Sequence, residues 1–173
     1  MAGAHTAARL ARLMGSKKKG HSEERTIENR KARFDYHIGD TLEVGIALRG
    51  SEVKAIRDGK VSITEGYVAV REQPLSLELM NVNIEEFAPA GALGHRPKRS
   101  RALLAHAKEI RKLARAVDQK GMTVVPLKLY FKDGWAKLLI GVAKGKQAHD
   151  KRRAIGDRDM KRDLERAMSR KRL

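Results

Sequence analysis

The sequence predicts a mainly β fold: a small closed antiparallel barrel with helices packed around it, followed by a basic tail. Short apolar runs of strand character recur from Leu42 to Ala143, punctuated by glycine, proline and aspartate turn signals. One long helical pattern interrupts them, between Leu103 and Val117. The third observation is charge. The 173 residues carry 38 Lys+Arg against 21 Asp+Glu, a net +17. Residues 1–33 hold +6 and residues 144–173 hold +7, which leaves only +4 for the 110 residues between them. A nearly balanced body with two cationic ends suits a polyanion, since each neutralised phosphate releases condensed counterions.

Residues 1–28 begin MAGAHTAARLAR, acid-free and rich in Ala and Arg. That composition is shared by organelle transit peptides and by disordered leaders. Gly3, Gly15 and the Lys17–Gly20 run interrupt any amphipathic helix, so a disordered leader is expected. Leu42, Val44, Ile46 and Leu48 then alternate with Thr41, Glu43, Gly45 and Ala47, the period-2 pattern of a half-buried strand. In Gly50–Gly59, Ser51 can cap a short helix and Gly59 can supply its left-handed end, with a strand as the fallback. Further strand runs follow at Val61–Ile63, Tyr67–Arg71 and Leu75–Ile84, and Glu72–Gln73–Pro74 reads as the turn of a hairpin.

Pro89 to Pro97 reads as a loop, after which Leu103, Ala107, Ile110, Ala114 and Val117 recur at helical spacing as far as Lys120–Gly121. Met122–Lys132 and Trp135–Ala143 form the last hairpin, joined by Asp133–Gly134, a dipeptide that favours a type I′ turn. Pro126 implies an edge or a bulge there. Several antiparallel strands with one helix before the last hairpin describe a closed barrel of the oligonucleotide-binding type over 29–148. The tail, 149–173, has one thin apolar stripe of Met160, Leu164 and Met168. Its ion pairs, Asp159 with Arg162 and Asp163 with Arg166, contribute only about 0.2–0.5 kcal/mol each. The tail is therefore expected to be disordered in solution and helical when laid in a negatively charged groove; a merely solubilising end is the alternative.

Several chemistries find no support. There is no cysteine, which excludes disulfides, thiol nucleophiles and cysteine-ligated metals and agrees with a reducing cytoplasm. No apolar run approaches the roughly 20 residues of a membrane span. The six histidines show no short metal-ligand spacing. Gly141–Gln147 has its glycines one residue too close for a phosphate loop, and Gln147 where Ser or Thr belongs. Glu43 and Glu52 lack the second acid or metal a nuclease would need. No catalytic residue, metal or cofactor is expected, and the chain reads as a non-enzyme. Lys31, Arg33, Lys54, Arg57, Lys132, Lys137, Lys144 and Lys146 favour a surface that tracks phosphates on a folded RNA, although each charge alone is equally a solvated face. Base stacking looks undersupplied: of seven aromatics, Phe34, Tyr36, Tyr130, Phe131 and Trp135 lie in contexts that also suit a core.

Four blocks strongly resemble the bacterial SsrA-binding proteins, also called small protein B. They are Asn29–Tyr36, Gly50–Lys60, Val125–Lys132, and Ala143–Lys146 with His149–Arg152. They occur in that family's order and spacing, from about Asn29 to Leu173. The resemblance implies an oligonucleotide-binding barrel that binds the tRNA-like domain of transfer-messenger RNA. It also implies delivery of that RNA to ribosomes stalled without a stop codon, in the cytoplasm. Elongation factor Tu, in complex with the aminoacylated RNA, and 16S rRNA of the stalled ribosome are the further partners it implies. Glu43, Leu104 and His106 correspond to residues contacting the tRNA-like elbow, the latter two placed on the long helix. Lys137, Lys144 and Lys146 match basic positions linked to RNA binding, and Tyr36 joins the set with Lys31, Arg33, Arg57 and Lys132. His149, Asp150, Lys151 and Arg152, with Arg153 beside them, lead a tail that becomes helical in the empty messenger channel near the decoding centre. Ala102, Ala105, Asn83, Phe87 and Gln147 depart from the family pattern, which puts phosphate contacts at Ala102 and Gln147 in doubt. A constitutive ribosomal protein with basic extensions is the alternative that composition alone allows.

Overall fold

The computed structural model describes residues 26–119 and 121–170. Residues 1–25 of the expected leader lie outside the described residues, while its last two, Ile27–Glu28, form strand β1 against Leu129 and Lys128. Helix α1 (Arg30–Asp35) follows and runs directly into β2 (Tyr36–Ile46). Next come α2 (Gly50–Arg57), β3 (Val61–Ser62), β4 (Tyr67–Glu72), β5 (Leu75–Met80) and β6 (Asn83–Ile84). A 3-10 turn at Ala88–Leu93 leads to β7 (Arg101–Leu104), α3 (Ala107–Val117), β8 (Met122–Lys132), β9 (Trp135–Gly145) and α4 (Ala148–Arg170).

The fold is mainly β and its sheets are antiparallel. Seven strands pair in the order β1-β8-β9-β2-β7-β5-β4, and β3 pairs with β6 separately. No ladder joins the ends of the seven-stranded order among the described residues, so the sheet is open in its hydrogen bonding where a closed barrel was expected. The approach of β4 to β8 explains this. The two pack together, but Pro126 has no N–H to donate, and β1 already occupies the β8 edge at Lys128–Leu129.

One core fills the concave side. Val44, Leu77, Leu79, Ile84, Leu129, Leu138 and Ile140 are fully buried there, with Ile110 and Leu113 of α3 packed on them. A second, smaller cluster lies under α1 and comprises Ala32, Val125, Leu127 and Ala143, flanked by Tyr36 and Ile38. The bulge between Pro126 and Lys128 makes both clusters possible. The extra residue shifts side-chain parity, so Val124 and Leu129 enter the main core while Val125 and Leu127 enter the second. Pro126 thus begins a bulge, one of the two outcomes, edge or bulge, that its sequence context predicts. Asn29 holds α1 in place: its Oδ1 accepts the Ala32 N–H at 2.9 Å, and its Nδ2 donates to Ile63 O at 3.1 Å and Pro126 O at 3.0 Å.

Several expectations need correction. Leu103 and Leu104 belong to strand β7, not to the long helix, because the four-residue spacing of Leu103 and Ala107 imitates a helical turn. The helix starts after His106, whose N–H donates to Glu109 Oε2 at 2.8 Å. Ser51 is not a cap. Arg49 occupies that position, its N–H donates to Glu52 Oε2 at 2.7 Å, and the Ser51 hydroxyl pairs instead with His95 Nδ1 at 2.9 Å. The run Leu75–Ile84 is split by Asn81, whose φ of 56° cannot continue a strand. The Asp133–Gly134 turn has φ of 52° and 80°, the two positive values a type I′ hairpin requires.

Candidate nucleic-acid interface

The convex face of β8, β9, β2 and β7 collects residues from distant parts of the chain. Each points outward because its neighbours, Val44, Leu103, Leu129 and Leu138, are buried on the other side. Register aligns Tyr130 with Lys137, Lys137 with Gly45, and Gly45 with Leu104, a continuous row across four strands. Glu43 lies in the adjacent row opposite Leu139. His106 ends the segment two residues beyond Leu104, just where the β2–β7 ladder stops. The structure therefore sets Leu104 beside Gly45, two residues along β2 from Glu43, and places His106 two residues past Leu104 at the start of α3. Helical spacing in the sequence predicts the last two on one helix, and that prediction fails.

Glu43 is held by its neighbours. The Tyr130 hydroxyl donates to Glu43 Oε2, and Lys137 Nζ stands 3.9 Å from Oε1. That hydrogen bond, with Lys132 and Lys137 nearby, keeps the Glu43 carboxyl below the usual carboxylate range, so it is ionised at neutral pH. The same bond, helped by partial burial, pushes Tyr130 up to about 12. A carboxylate oriented in this way presents acceptors to base or ribose donors, while Lys132 and Lys137 offer positive charge to phosphates.

A second group gathers where α1 meets the end of β9. Lys146 Nζ donates to Arg33 O at 3.0 Å, and the Lys146 N–H donates to Asp35 O at 2.9 Å. Lys31 is exposed on α1, Lys144 is exposed opposite His37, and Tyr36 is half-buried on the small cluster. The first turn of α4 lies beside them. Asp150 Oδ2 is 3.5 Å from His37 Nε2, its Oδ1 is 3.1 Å from His149 Nε2, and α1 touches α4. Arg152 is exposed on the same helix; Lys151 and Arg153 lie on it as well, and Met160, Leu164 and Met168 form an exposed stripe. Arg57 stands apart from both groups, with its guanidinium 5.2 Å from the centroid of the Phe131 ring, and Lys54 covers Phe87 at the same distance. These two cations are at least partly structural.

Sequence reasoning missed Tyr130 and Trp135 as members of this face. Parity could have found the first: with the bulge at Pro126, Lys128, Tyr130 and Lys132 share one face. Trp135 sits in a sequence context that suits a core, yet it is 75% exposed, because it is the first residue after a two-residue turn and pairs with outward-facing Lys132. Phe131, on the opposite parity, is buried. Among the described residues no group of His, Cys, Asp or Glu is arranged to hold a metal, and no helix is long and apolar enough to cross a membrane.

Comparison with known proteins adds an independent line. A family model described as SmpB protein matches residues 26–170. The SsrA-binding protein of Trichodesmium erythraeum is 48% identical over 154 residues, covering 88% of this chain and 97% of that protein. The SsrA-binding protein of Lactobacillus delbrueckii subsp. bulgaricus is 50% identical over 150 residues, covering 87% and 97%. A chain in a solved structure described as "tmRNA-SmpB: a journey to the center of the bacterial ribosome" superposes with a TM-score of 0.60 at 45% identity, covering 71% of this chain and 85% of that one.

Proposed function

The chain belongs to the SmpB family, and on that premise we propose that it binds the tRNA-like domain of transfer-messenger RNA and acts in trans-translation. It is an RNA-binding protein and not an enzyme. The observation that carries this reading is the placement of Glu43 and Leu104 on one convex face, with His106 two residues beyond Leu104 and Lys132 and Lys137 beside Glu43. A carboxylate, an apolar contact and an imidazole set among lysines suit a folded RNA recognised by its shape and by a few exposed bases. In this reading the body works as an oligonucleotide-binding barrel whose wall is completed by packing of β4 on β8. The chain delivers the RNA, with elongation factor Tu, to stalled ribosomes in the cytoplasm.

The tail takes the second role. Helix α4 lays His149, Asp150, Lys151, Arg152 and Arg153 in its first turns, and a cationic helix of this length fits an empty messenger channel beside 16S rRNA. In this reading α4 is the form the tail takes in the channel, and beyond its first turn the helix unfolds in free solution, since its stripe of Met160, Leu164 and Met168 is too narrow to hold a helix in water.

The test is a titration against the tRNA-like domain beside an elongator tRNA of similar length, at physiological salt where nonspecific binding is suppressed. A clear preference for the tRNA-like domain is expected, and Glu43→Arg is expected to weaken it. Equal binding to both RNAs would refute the specific reading. Truncation after Ala148 is expected to leave affinity close to intact while abolishing peptide tagging.

A further inference from the structure

Outside α4, the exposed large hydrophobic side chains of the described residues are Trp135 at 75%, Leu104 at 62% and Tyr67 at 46%. Two of the three border one cleft. It has a volume of about 490 Å³ and is walled by Trp135, Leu104, Leu48 and Val53, with Lys137 at its rim. Gly45 contributes to its floor, where a Cβ would come within 3.3 Å of Leu104 Cβ. The lack of a side chain keeps the floor open between Leu104 and Lys137. The cleft continues the row from Tyr130 to Leu104, so it is contiguous with the Glu43 face.

We propose that Trp135 and Leu104 form a stacking platform for one unstacked base of the bound RNA. This inference rests on the RNA-binding reading above and deepens it. A flat indole on one wall and a leucine on another suit the polarity of a nucleobase, which prefers an aromatic face with an apolar backing. Charge complementarity selects a nucleotide over an apolar peptide. Lys132 lies opposite Trp135 and Lys137 two residues beyond it, so a base in the cleft places its phosphate beside ammonium groups, with Asp133 in the turn as the nearby opposing charge. Glu43, ionised and in the adjacent row of the same face, accepts hydrogen bonds from donors at the base edge or the ribose. The platform thus supplies the stacking that composition alone makes look scarce.

Trp135 is the chain's only tryptophan, so its emission reports this site alone. The experiment titrates the full-length protein with the tRNA-like domain at physiological salt, following labelled-RNA anisotropy and tryptophan emission together. Emission is expected to fall in step with binding. Trp135→Ala is expected to raise Kd about 5- to 150-fold, the range for loss of one stacking aromatic, with Trp135→Phe close to wild type. The residue is exposed, so the variants are expected to keep the wild-type circular dichroism. Binding with unchanged emission and a Trp135→Ala Kd equal to wild type would overturn the platform and leave the RNA-binding reading intact. Quenching that arises only on adding ribosomes would also overturn it, by assigning the cleft to ribosomal RNA. Absence of any binding would overturn both.

Discussion

Replacing Glu52 with glutamine is predicted to cost about 3–5 kcal/mol of folding stability, because it removes one charge of a buried set and leaves the others behind. The Glu52 side chain has no exposed surface and accepts from Arg49 N–H at 2.7 Å, Arg99 Nε at 2.8 Å and Arg101 Nε at 2.8 Å, with Arg99 Nη2 on its second oxygen. Burial by itself would raise its pKa. The Arg99 hydrogen bond, the Arg49 N–H and Arg101 outweigh that and hold the carboxyl below the usual range, so it is charged at neutral pH. A glutamine would turn an NH₂ toward converging guanidinium donors and leave Arg101, also fully buried, without a counter-charge.

At roughly 2–4 °C of Tm per kcal/mol for a chain of this size, Tm should fall by about 6–20 °C. Arg101→Met should cost at least as much, since Arg101 also donates to the carbonyls of Val82 at 2.8 Å and of Arg99 and Pro97 at 2.9 Å, which would lose their partner. Thermal and urea unfolding followed by far-UV circular dichroism measures both. A loss below about 1 kcal/mol, the value of an exposed ion pair, would refute the claim that this cluster fastens β7 to α2.

Tyr130 should resist ionisation: the absorbance titration of wild type minus Tyr130→Phe should have its midpoint near 12, and a midpoint near 10 would mean that the Glu43 bond is absent in solution. Because this folded-state pKa is raised, the stabilising contribution is fully present below the unfolded tyrosine value and is lost as pH rises through about 12. Gly66→Ala should destabilise by about 1–3 kcal/mol, since its Cβ would fall 2.5 Å from Cγ2 of fully buried Val82. Gly50→Ala has open space in the first turn of α2 and should stabilise by about 0.4–1 kcal/mol; urea denaturation of the pair tests whether packing or backbone freedom governs each glycine.

Elements whose burial imposes a clean period were legible in the sequence. The hairpin Met122–Gly145, its Asp133–Gly134 turn and the alternation through Val44 and Ile46 fall where the pattern puts them. Strand β7 was hidden because it buries a charge: Arg101 occupies an inward position where periodicity looks for an apolar residue, and its partner Glu52 lies 49 residues away. Helix α1 escaped notice because six polar-rich residues make too weak a pattern, and its cap, Asn29, is explained only by carbonyls at Ile63 and Pro126. Site residues were less legible still. Outward positions carry no burial constraint, so alternation marks Glu43 only as facing away from the core, and Leu104 lies in the strand that the helical spacing concealed. Their adjacency depends on the pairing of β2 with β7, which no local pattern encodes. The family resemblance supplied those residues; chain physics supplied the lysines.

The fold also changes the meaning of the charge distribution. In sequence the two cationic ends are separated by the whole body, yet α1 touches α4, and Lys31, Arg33, Lys144 and Lys146 meet at one end of the sheet. The convex face is different: Glu43 offsets part of Lys132 and Lys137, and Trp135 and Leu104 make the neighbouring surface apolar. Phosphate attraction should therefore reside mainly at the α1 end, and discrimination on the convex face. Salt dependence separates the two, because each phosphate left without its cation reduces the slope of log K against log salt by about 0.7–0.9, whereas removal of a stacking ring leaves the slope unchanged. Lys31→Ala with Lys144→Ala, both exposed side chains, should flatten the slope measured from low to physiological salt and weaken tRNA-like and elongator RNAs alike. Trp135→Ala should shift the line downward in parallel for the tRNA-like domain alone. Equal slopes in the lysine variant and wild type would show that the convex face carries the phosphate contacts as well, and would undo this division of labour.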